Sequence, residues 1–110
     1  CWLLAQDEQG RVLLTRRPEQ GIWGGLWSLP ELASSDAVDE AASALGFAVR
    51  DIGPALPEVE HVFTHFRLIA IPVPVQAQPL GCVPDCGWFT AQEREGLGLP
   101  APVRRLLSGL

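Results

Sequence analysis

The sequence has 110 residues, 47% hydrophobic and 19% charged, a balance typical of one compact globular domain and not of a disordered chain. No apolar run approaches the roughly 18 residues of a membrane-spanning helix, and the apolar start CWLLA runs directly into Asp7 and Glu8. We therefore predict neither a membrane span nor a signal peptide. The net charge of −5 argues against DNA binding driven by phosphate neutralisation alone.

The ends and the cysteines of the chain bear on its context. It starts at Cys1 and contains no Met, which predicts that these residues are the whole of one domain, 1–110, of a longer protein. Its three cysteines make an odd number, whereas a secreted disulfide framework normally has an even one. We therefore expect a reduced, cytoplasmic compartment.

The first predicted elements are two strands. Residues 2–5 and 11–15 are apolar and flank the polar turn DEQG, in which Gly10 permits a positive φ, so they predict a β-hairpin. The loop RRPEQGIWGGLWSLPE follows, and it leads into a short strand at Leu26 to Leu29.

Residues 35–46 predict a helix. Ser35 or Asp36 can cap its N-terminus, and Gly46 can close its C-terminus. Its apolar stripe consists of Val38, Ala41, Ala42 and Leu45.

The second half of the chain alternates extended and helical patterns. Residues 48–53 and 59–75 favour strands, with Pro72 and Pro74 confining the later part to a sheet edge or a strand end. Thr90 opens a capping box, TAQE, at the start of a short helix. A last helix starts near Pro102, and its apolar face comprises Val103, Leu106, Leu107 and Leu110. The element order predicts an α/β (α+β) fold, a mixed sheet flanked by helices.

The stretch HVFTHFRL, residues 61–68, contains both histidines of the chain. With Cys82 and Cys86 at the same four-residue step, His61 and His65 could in principle hold zinc. The flanking Val, Phe and Thr residues favour a strand instead, and CVPDC is typical of a proline-containing turn. We therefore predict no metal, and a Cys82–Cys86 disulfide is neither implied nor ruled out.

The Gly-Trp loop GIWGGLW offers two interpretations. Gly-rich loops can cradle phosphates, but this one lacks the spacing and the lysine of a phosphate-binding loop. The simpler interpretation is that its glycines allow tight turns while Trp23 and Trp27 cover the core.

The segment from this loop to the end of the first helix resembles the Nudix hydrolases. In that family the helix carries Arg-Glu, an apolar residue, any residue, then Glu-Glu, and its glutamates hold magnesium at a pyrophosphate. Aligned on the Gly-Phe step that ends the helix, this sequence has Asp39 in place of the arginine, and Ser43 and Ala44 in place of the paired glutamates. Glu40 remains, but Ser and Ala cannot replace two carboxylate ligands of Mg²⁺.

Three segments together resemble the C-terminal domain of MutY-type adenine DNA glycosylases, which is Nudix-like but lacks the hydrolytic box. They are RRPEQGIWGGLWSLPE, HVFTHFRL and WFTAQEREGLGLPAPVRRLLSGL, and they occur in the family's order. The resemblance implies a non-catalytic domain, without a cofactor of its own, that recognises 8-oxoguanine opposite adenine in duplex DNA and helps to clamp the duplex. It assigns the catalytic carboxylates and an iron–sulfur cluster to an N-terminal catalytic domain.

The family's Phe-Ser-His loop corresponds here to Phe63, Thr64 and His65. The Thr64 hydroxyl can accept from the N7–H and donate to the O8 of 8-oxoguanine. Phe63 is suited to wedge beside a base step, and His65 to bond a base edge or a phosphate. Phosphate contacts are expected from three arginines, any of which can equally be solvated surface: Arg16, Arg17 and Arg67.

Without the resemblance, the residues of this stretch favour a half-buried strand, since no Gly, Asn or Pro marks a turn. With it, reading of a damaged base by these residues is favoured, and whether residues 63–65 form a strand or an exposed tip stays open. Two other functions stay open: a Nudix hydrolase acting on oxidised nucleoside triphosphates, and an acidic protein-interaction module.

Overall fold

The computed structural model describes residues 1–81 and 83–110. Its strands are β1 (Trp2–Gln6), β2 (Val12–Arg16), β3 (Trp27–Ser28), β4 (Phe47–Ile52), β5 (Val59–Val62), β6 (Arg67–Ala70), β7 (Pro72–Pro79) and β8 (Cys86–Phe89). Its helices are α1 (Val38–Leu45), α2 (Ala91–Glu95) and α3 (Ala101–Ser108), with a 3₁₀ turn at Ser35–Ala37 before α1.

The main sheet of the described chain has six strands. Five follow the order β3-β2-β1-β7-β4, and the sixth, β8, also pairs with β2. β1 and β7 run parallel, and the remaining pairs are antiparallel, so the predicted mixed sheet is confirmed. β5 and β6 form a separate two-stranded antiparallel sheet. No helix in the described residues is long and apolar enough to cross a membrane.

Both faces of the main sheet are buried, because side chains alternate along each strand. On one face, Leu3 and Ala5 of β1 join a cluster covered by α1; on the other, Trp2 and Leu4 join a cluster covered by α3 and the β5–β6 hairpin. The first cluster comprises Leu3, Ala5, Leu13, Leu32, Val38, Ala42, Phe47, Val73, Val75 and Ala77. The second comprises Trp2, Leu4, Val12, Leu14, Leu29, Ala70, Leu99, Val103 and Leu107.

The predicted first helix is confirmed, except for its N-terminal cap. All four residues of the predicted stripe pack on the first core cluster, and Gly46 ends the helix in the left-handed region at φ 77°. The capping role of Ser35 or Asp36 is wrong. Both residues lie in the 3₁₀ turn, so the N-cap of α1 falls on Ala37, which has no side-chain cap.

Pro72 and Pro74 begin a strand that lies inside the sheet, between β1 and β4. Of the two predicted positions, the sheet edge is wrong for β7, whereas the strand end is confirmed for Pro72, which is its first residue. The carbonyl oxygens of both prolines accept bonds from the segment that follows β4, at 3.0 Å from Leu56 N and 2.9 Å from Gly53 N. Since a residue's N and C=O point to the same side of a strand, the missing donors face this loosely paired segment rather than β1.

The C-terminal elements follow the prediction closely. Thr90 N–H donates to Glu93 Oε1 at 2.9 Å, and Glu93 N–H donates to Thr90 Oγ1 at 3.1 Å, which completes the capping box. The Thr90 backbone N–H first, and the Thr90 hydroxyl second, hold the pKa of the Glu93 carboxyl below its ordinary value. In α3, Val103 and Leu107 are buried, but Leu110 lies beyond the helix end and is 54% exposed, so its predicted place on the apolar face is wrong.

Candidate functional site

The β5–β6 hairpin ends in a turn formed by residues 63–66. The backbone N–H of Phe63 donates to the carbonyl oxygen of Phe66 at 2.7 Å, which closes the turn. Thr64 and His65 are exposed at its tip, whereas Phe63 is half-buried. The half-buried strand favoured by the residues alone is therefore wrong for 63–65, and the open choice between strand and exposed tip is decided for the tip.

The absence of a glycine at this turn has a backbone explanation. Among the described residues, the non-glycine residues with positive φ are Trp23 and Asp85, so Thr64 and His65 both have negative φ. Such a turn needs no Gly or Asn, and this is why the sequence carried no turn signal.

A row of packed aromatic rings lies next to the hairpin tip. The ring of Phe63 lies 5.4 Å from Trp23, 4.7 Å from His61 and 4.5 Å from Phe66, between ring centroids. Trp23 and His61 are themselves 5.8 Å apart. These four residues, which we call the aromatic row, connect the Gly-Trp loop to the hairpin tip and fix the position of the turn.

The Gly-Trp loop reaches the row through a tight backbone path. Trp23 adopts φ 55°, and a Cβ built at Gly24 would overlap the carbonyl oxygen of Glu19. Trp23 and Trp27 pack against the second core cluster, so the prediction that they cover the core is confirmed. Trp23 does so while its ring also contacts the hairpin, which the sequence did not indicate.

The three predicted phosphate-contacting arginines lie in two places. Arg67 begins β6 beside the tip, with its guanidinium 4.0 Å from the Glu60 carboxylate. Arg16 ends β2 and Arg17 follows it, and both line an open cleft of about 320 Å³. The paired distances are 2.8 Å for Arg16–Glu19 and 2.6 Å for Arg17–Glu31.

Arg17 also has a structural partner. Its Nε donates to the carbonyl oxygen of Ile22 at 2.9 Å, one residue before Trp23. The side chain thus braces the Gly-Trp loop, and Arg67 is the arginine that the fold brings to the tip together with Phe63, Thr64 and His65.

The helix α1 presents the positions at which a hydrolytic Nudix helix carries its metal-binding glutamates. Glu40, Ser43 and Ala44 are all exposed on it. Within residues 1–81 and 83–110, no group of three or more His, Cys, Asp or Glu side chains is placed to hold a metal ion. A hydroxyl and a methyl do not supply the carboxylate oxygens that Mg²⁺ prefers, so these residues do not fit the magnesium of a hydrolase.

The histidines and cysteines are used separately. His61 packs in the aromatic row, His65 lies at the tip, and Cys86 lies in β8 of the main sheet, paired to Thr15. Burial raises the pKa of the Cys86 thiol above its ordinary value, which lowers its reactivity. The remaining member of the suggested zinc set and of the suggested disulfide, Cys82, lies outside the described residues.

The sequence model of the NUDIX domain matches residues 1–109. The chain belongs to the NUDIX domain family. The fold class that the resemblance implied is thereby confirmed.

Solved structures with a similar fold include a domain of MUTYH and several NUDIX hydrolases. The C-terminal domain of mouse MUTYH, solved in complex with human PCNA, is similar with a TM-score of 0.76 and 21% identity, covering 97% of this chain and 82% of that one. The MutT NUDIX hydrolase from Burkholderia pseudomallei has a TM-score of 0.66 and 21% identity, covering 97% and 95%. The Nudix hydrolase RenU from M. smegmatis has a TM-score of 0.56 and 25% identity, covering 98% and 83%.

The roles of two residues of the candidate site, Phe66 and Trp23, are not indicated by the sequence. The residue pattern predicts Phe66 as part of a strand, but it forms the outer end of the aromatic row and is 47% exposed. The sequence predicts only that Trp23 covers the core, whereas its ring also contacts Phe63. The local pattern of this stretch does not distinguish Phe66 from a strand residue, because only the turn places its ring against Phe63.

Proposed function

We propose that this NUDIX domain reads damaged bases in DNA, as the 8-oxoguanine-recognition domain of a MutY-type adenine DNA glycosylase. The observation that carries the proposal is the hairpin tip, which presents Thr64 and His65 to solvent on a rigid aromatic support. Binding residues on a loop held by a rigid scaffold are typical of recognition sites.

The chemistry of the tip suits an oxidised guanine. 8-Oxoguanine carries an N7–H donor and an O8 acceptor where guanine has an N7 acceptor alone. One hydroxyl can accept from the first and donate to the second, so Thr64 can make two hydrogen bonds with 8-oxoguanine, whereas with guanine it can only donate to N7. His65, beside it, is placed to bond a phosphate or a base edge.

The distribution of charge also supports the proposal. The chain carries a net charge of −5, yet residues 61–67 contain Arg67, both histidines and no acidic residue. A local basic tip on an acidic domain contributes contacts while another part of the protein supplies most of the attraction to DNA. This agrees with a domain that assists a separate catalytic half carrying an iron–sulfur cluster, working in the cytoplasm on nucleoid DNA.

The mouse MUTYH domain with the same fold supports this context, while the MutT fold relatives support the alternative of a nucleotide hydrolase. The residues of α1 argue against the alternative, because Ser43 and Ala44 stand at the glutamate positions. Incubation of the chain with Mg²⁺ and 8-oxo-dGTP separates the two, since release of pyrophosphate would assign the hydrolase function.

The decisive experiment replaces the Thr64 hydroxyl by a methyl of the same shape. We expect the 110-residue chain to bind an 8-oxoguanine:adenine duplex more tightly than a guanine:adenine duplex, measured by NMR titration at low ionic strength. Thr64→Val should reduce this preference about three- to tenfold, the worth of one hydrogen bond, whereas Thr64→Ser should keep it. Equal affinity of the unmodified chain for both duplexes would refute the proposal.

A further inference from the structure

The two phenylalanines of the tip differ in what surrounds them. The ring of Phe63 contacts three other rings, those of Trp23, His61 and Phe66. Phe66 stacks on Phe63 with an interplanar angle of 21° and a centroid distance of 4.5 Å. Its side chain is 47% exposed, whereas Phe63 is half-buried. Phe66 is therefore the more exposed of the two.

This arrangement restricts what Phe63 can do. To insert between two bases, its ring would have to leave the contacts with Trp23, His61 and Phe66, and the turn that they support would lose its position. Phe66 can accept a flat ring on its outer face without disturbing the rest of the aromatic row. Aromatic rings prefer offset or stacked neighbours at 4.5–7 Å, and a nucleobase presents such a face.

We propose that Phe66 is a stacking platform for an unstacked nucleobase, and that Phe63 is a positioning residue which holds it. This assignment rests on the proposed function, which supplies the DNA. Stacking on an aromatic side chain tolerates any base, so Phe66 provides binding energy while Thr64 provides the choice of lesion.

The charge around Phe66 agrees with a nucleic acid as the occupant. Arg67 follows it directly, with its side chain 60% exposed and its guanidinium 4.0 Å from Glu60, at the outer limit of an ion pair. His65 precedes it and is exposed. A base on the Phe66 ring therefore brings its phosphates next to cationic or hydrogen-bonding groups, whereas a hydrophobic protein segment would offer Arg67 no anionic group.

The test follows the ring protons of Phe63 and Phe66 in the 110-residue chain during titration with the 8-oxoguanine:adenine duplex. Stacking of a base on Phe66 moves its ring protons upfield, and those of Phe63 move less. Phe66→Leu, which keeps an apolar side chain but removes the ring, should weaken binding about fivefold or more, and Phe66→Trp should restore it. Thermal unfolding of each variant shows whether the fold is kept.

The outcomes separate the two proposals. If Phe66→Leu weakens binding but the unmodified chain binds the 8-oxoguanine and guanine duplexes with equal affinity, the platform stands and lesion reading fails. If Phe66→Leu binds as tightly as the unmodified chain and keeps its lesion preference, the platform fails and lesion reading stands. No shift of Phe66 at the highest DNA concentration, or dimerisation of the chain that Phe66→Leu abolishes, overturns the platform.

Discussion

The β1–β2 and β5–β6 hairpins are closed by different means. In the first, the Asp7 carboxylate accepts bonds from the N–H groups of Gln9 and Arg11, at 3.0 and 2.8 Å, and from Arg11 Nε at 2.6 Å. In the second, Phe63 and Phe66 close the turn with one backbone bond and stack on each other above Trp23 and His61. In the first turn the polar groups bond to one another, and the second turn is held mainly by contacts between aromatic rings.

The difference shows how a hairpin becomes available for recognition. Strands β1 and β2 are buried on both faces of the main sheet, so their side chains contribute stability. The β5–β6 hairpin buries only its inner residues, such as Leu68 and Ala70, and exposes Val62 at 68% and Ile69 at 44%. Because its tip is held by rings, the hydroxyl of Thr64 and the imidazole of His65 remain accessible to a ligand.

The largest expected effect contrasts the two hairpins directly. Leu13 in β2 is fully buried, and Leu13→Ala should lower the free energy of unfolding by about 2–5 kcal/mol, because it leaves a cavity between the sheet and α1. Val62→Ala in β5 should change it by less than about 0.5 kcal/mol. Urea unfolding followed by circular dichroism measures both, and equal losses would remove the distinction between the hairpins.

A smaller effect tests the support of the tip. Gly24→Ala forces the new Cβ against the Glu19 carbonyl, so it should displace the Gly-Trp loop and cost about 1–3 kcal/mol of stability. The indole N–H signal of Trp23 should shift with it, together with the Phe63 ring protons. Gly81→Ala is the matched control, because a Cβ there meets open space. An unchanged Phe63 signal in Gly24→Ala would show that the aromatic row does not depend on the loop.

The smallest effect concerns the closed turn. Asp7→Asn keeps one carbonyl acceptor but loses the carboxylate that Arg11 Nε contacts, and we expect a loss of roughly 1 kcal/mol in the free energy of unfolding. The proposed lesion preference of the β5–β6 tip should not change, since the two turns share no described contact. A change in lesion preference in this variant would couple the hairpins and contradict the comparison.

Much of the fold was predictable because it is locally encoded. Two apolar runs around a polar turn predicted the β1–β2 pair, the stripe of Val38 and Ala42 predicted α1, and Thr90 with Glu93 predicted the cap of α2, each within a few residues of chain. The position of β7 was not predictable from Pro72 and Pro74. It depends on which side of the strand their missing donors face, and that is set by the pairing with β1 and the segment after β4.

The residues of the candidate site were predicted by family resemblance, but not their arrangement. The motif pointed to Phe63, Thr64 and His65, yet their local composition favoured a strand, because a turn with negative φ at both tip residues leaves no glycine signal. Arg16 and Arg17 were grouped with Arg67 by residue type alone. The structure separates them, with Arg17 bracing the Gly-Trp loop through the Ile22 carbonyl.

The sequence by itself determined the family, the mixed sheet and the substitutions at Ser43 and Ala44, because each depends on residue identity and short-range pattern. Only the tertiary structure decided which aromatic ring is exposed. Phe63 and Phe66 are the same residue type in one short segment. They differ in exposure because the Gly-Trp loop, more than 35 residues earlier in the chain, brings Trp23 against Phe63. Contacts between distant segments are set by packing of the whole domain, and no local pattern encodes them.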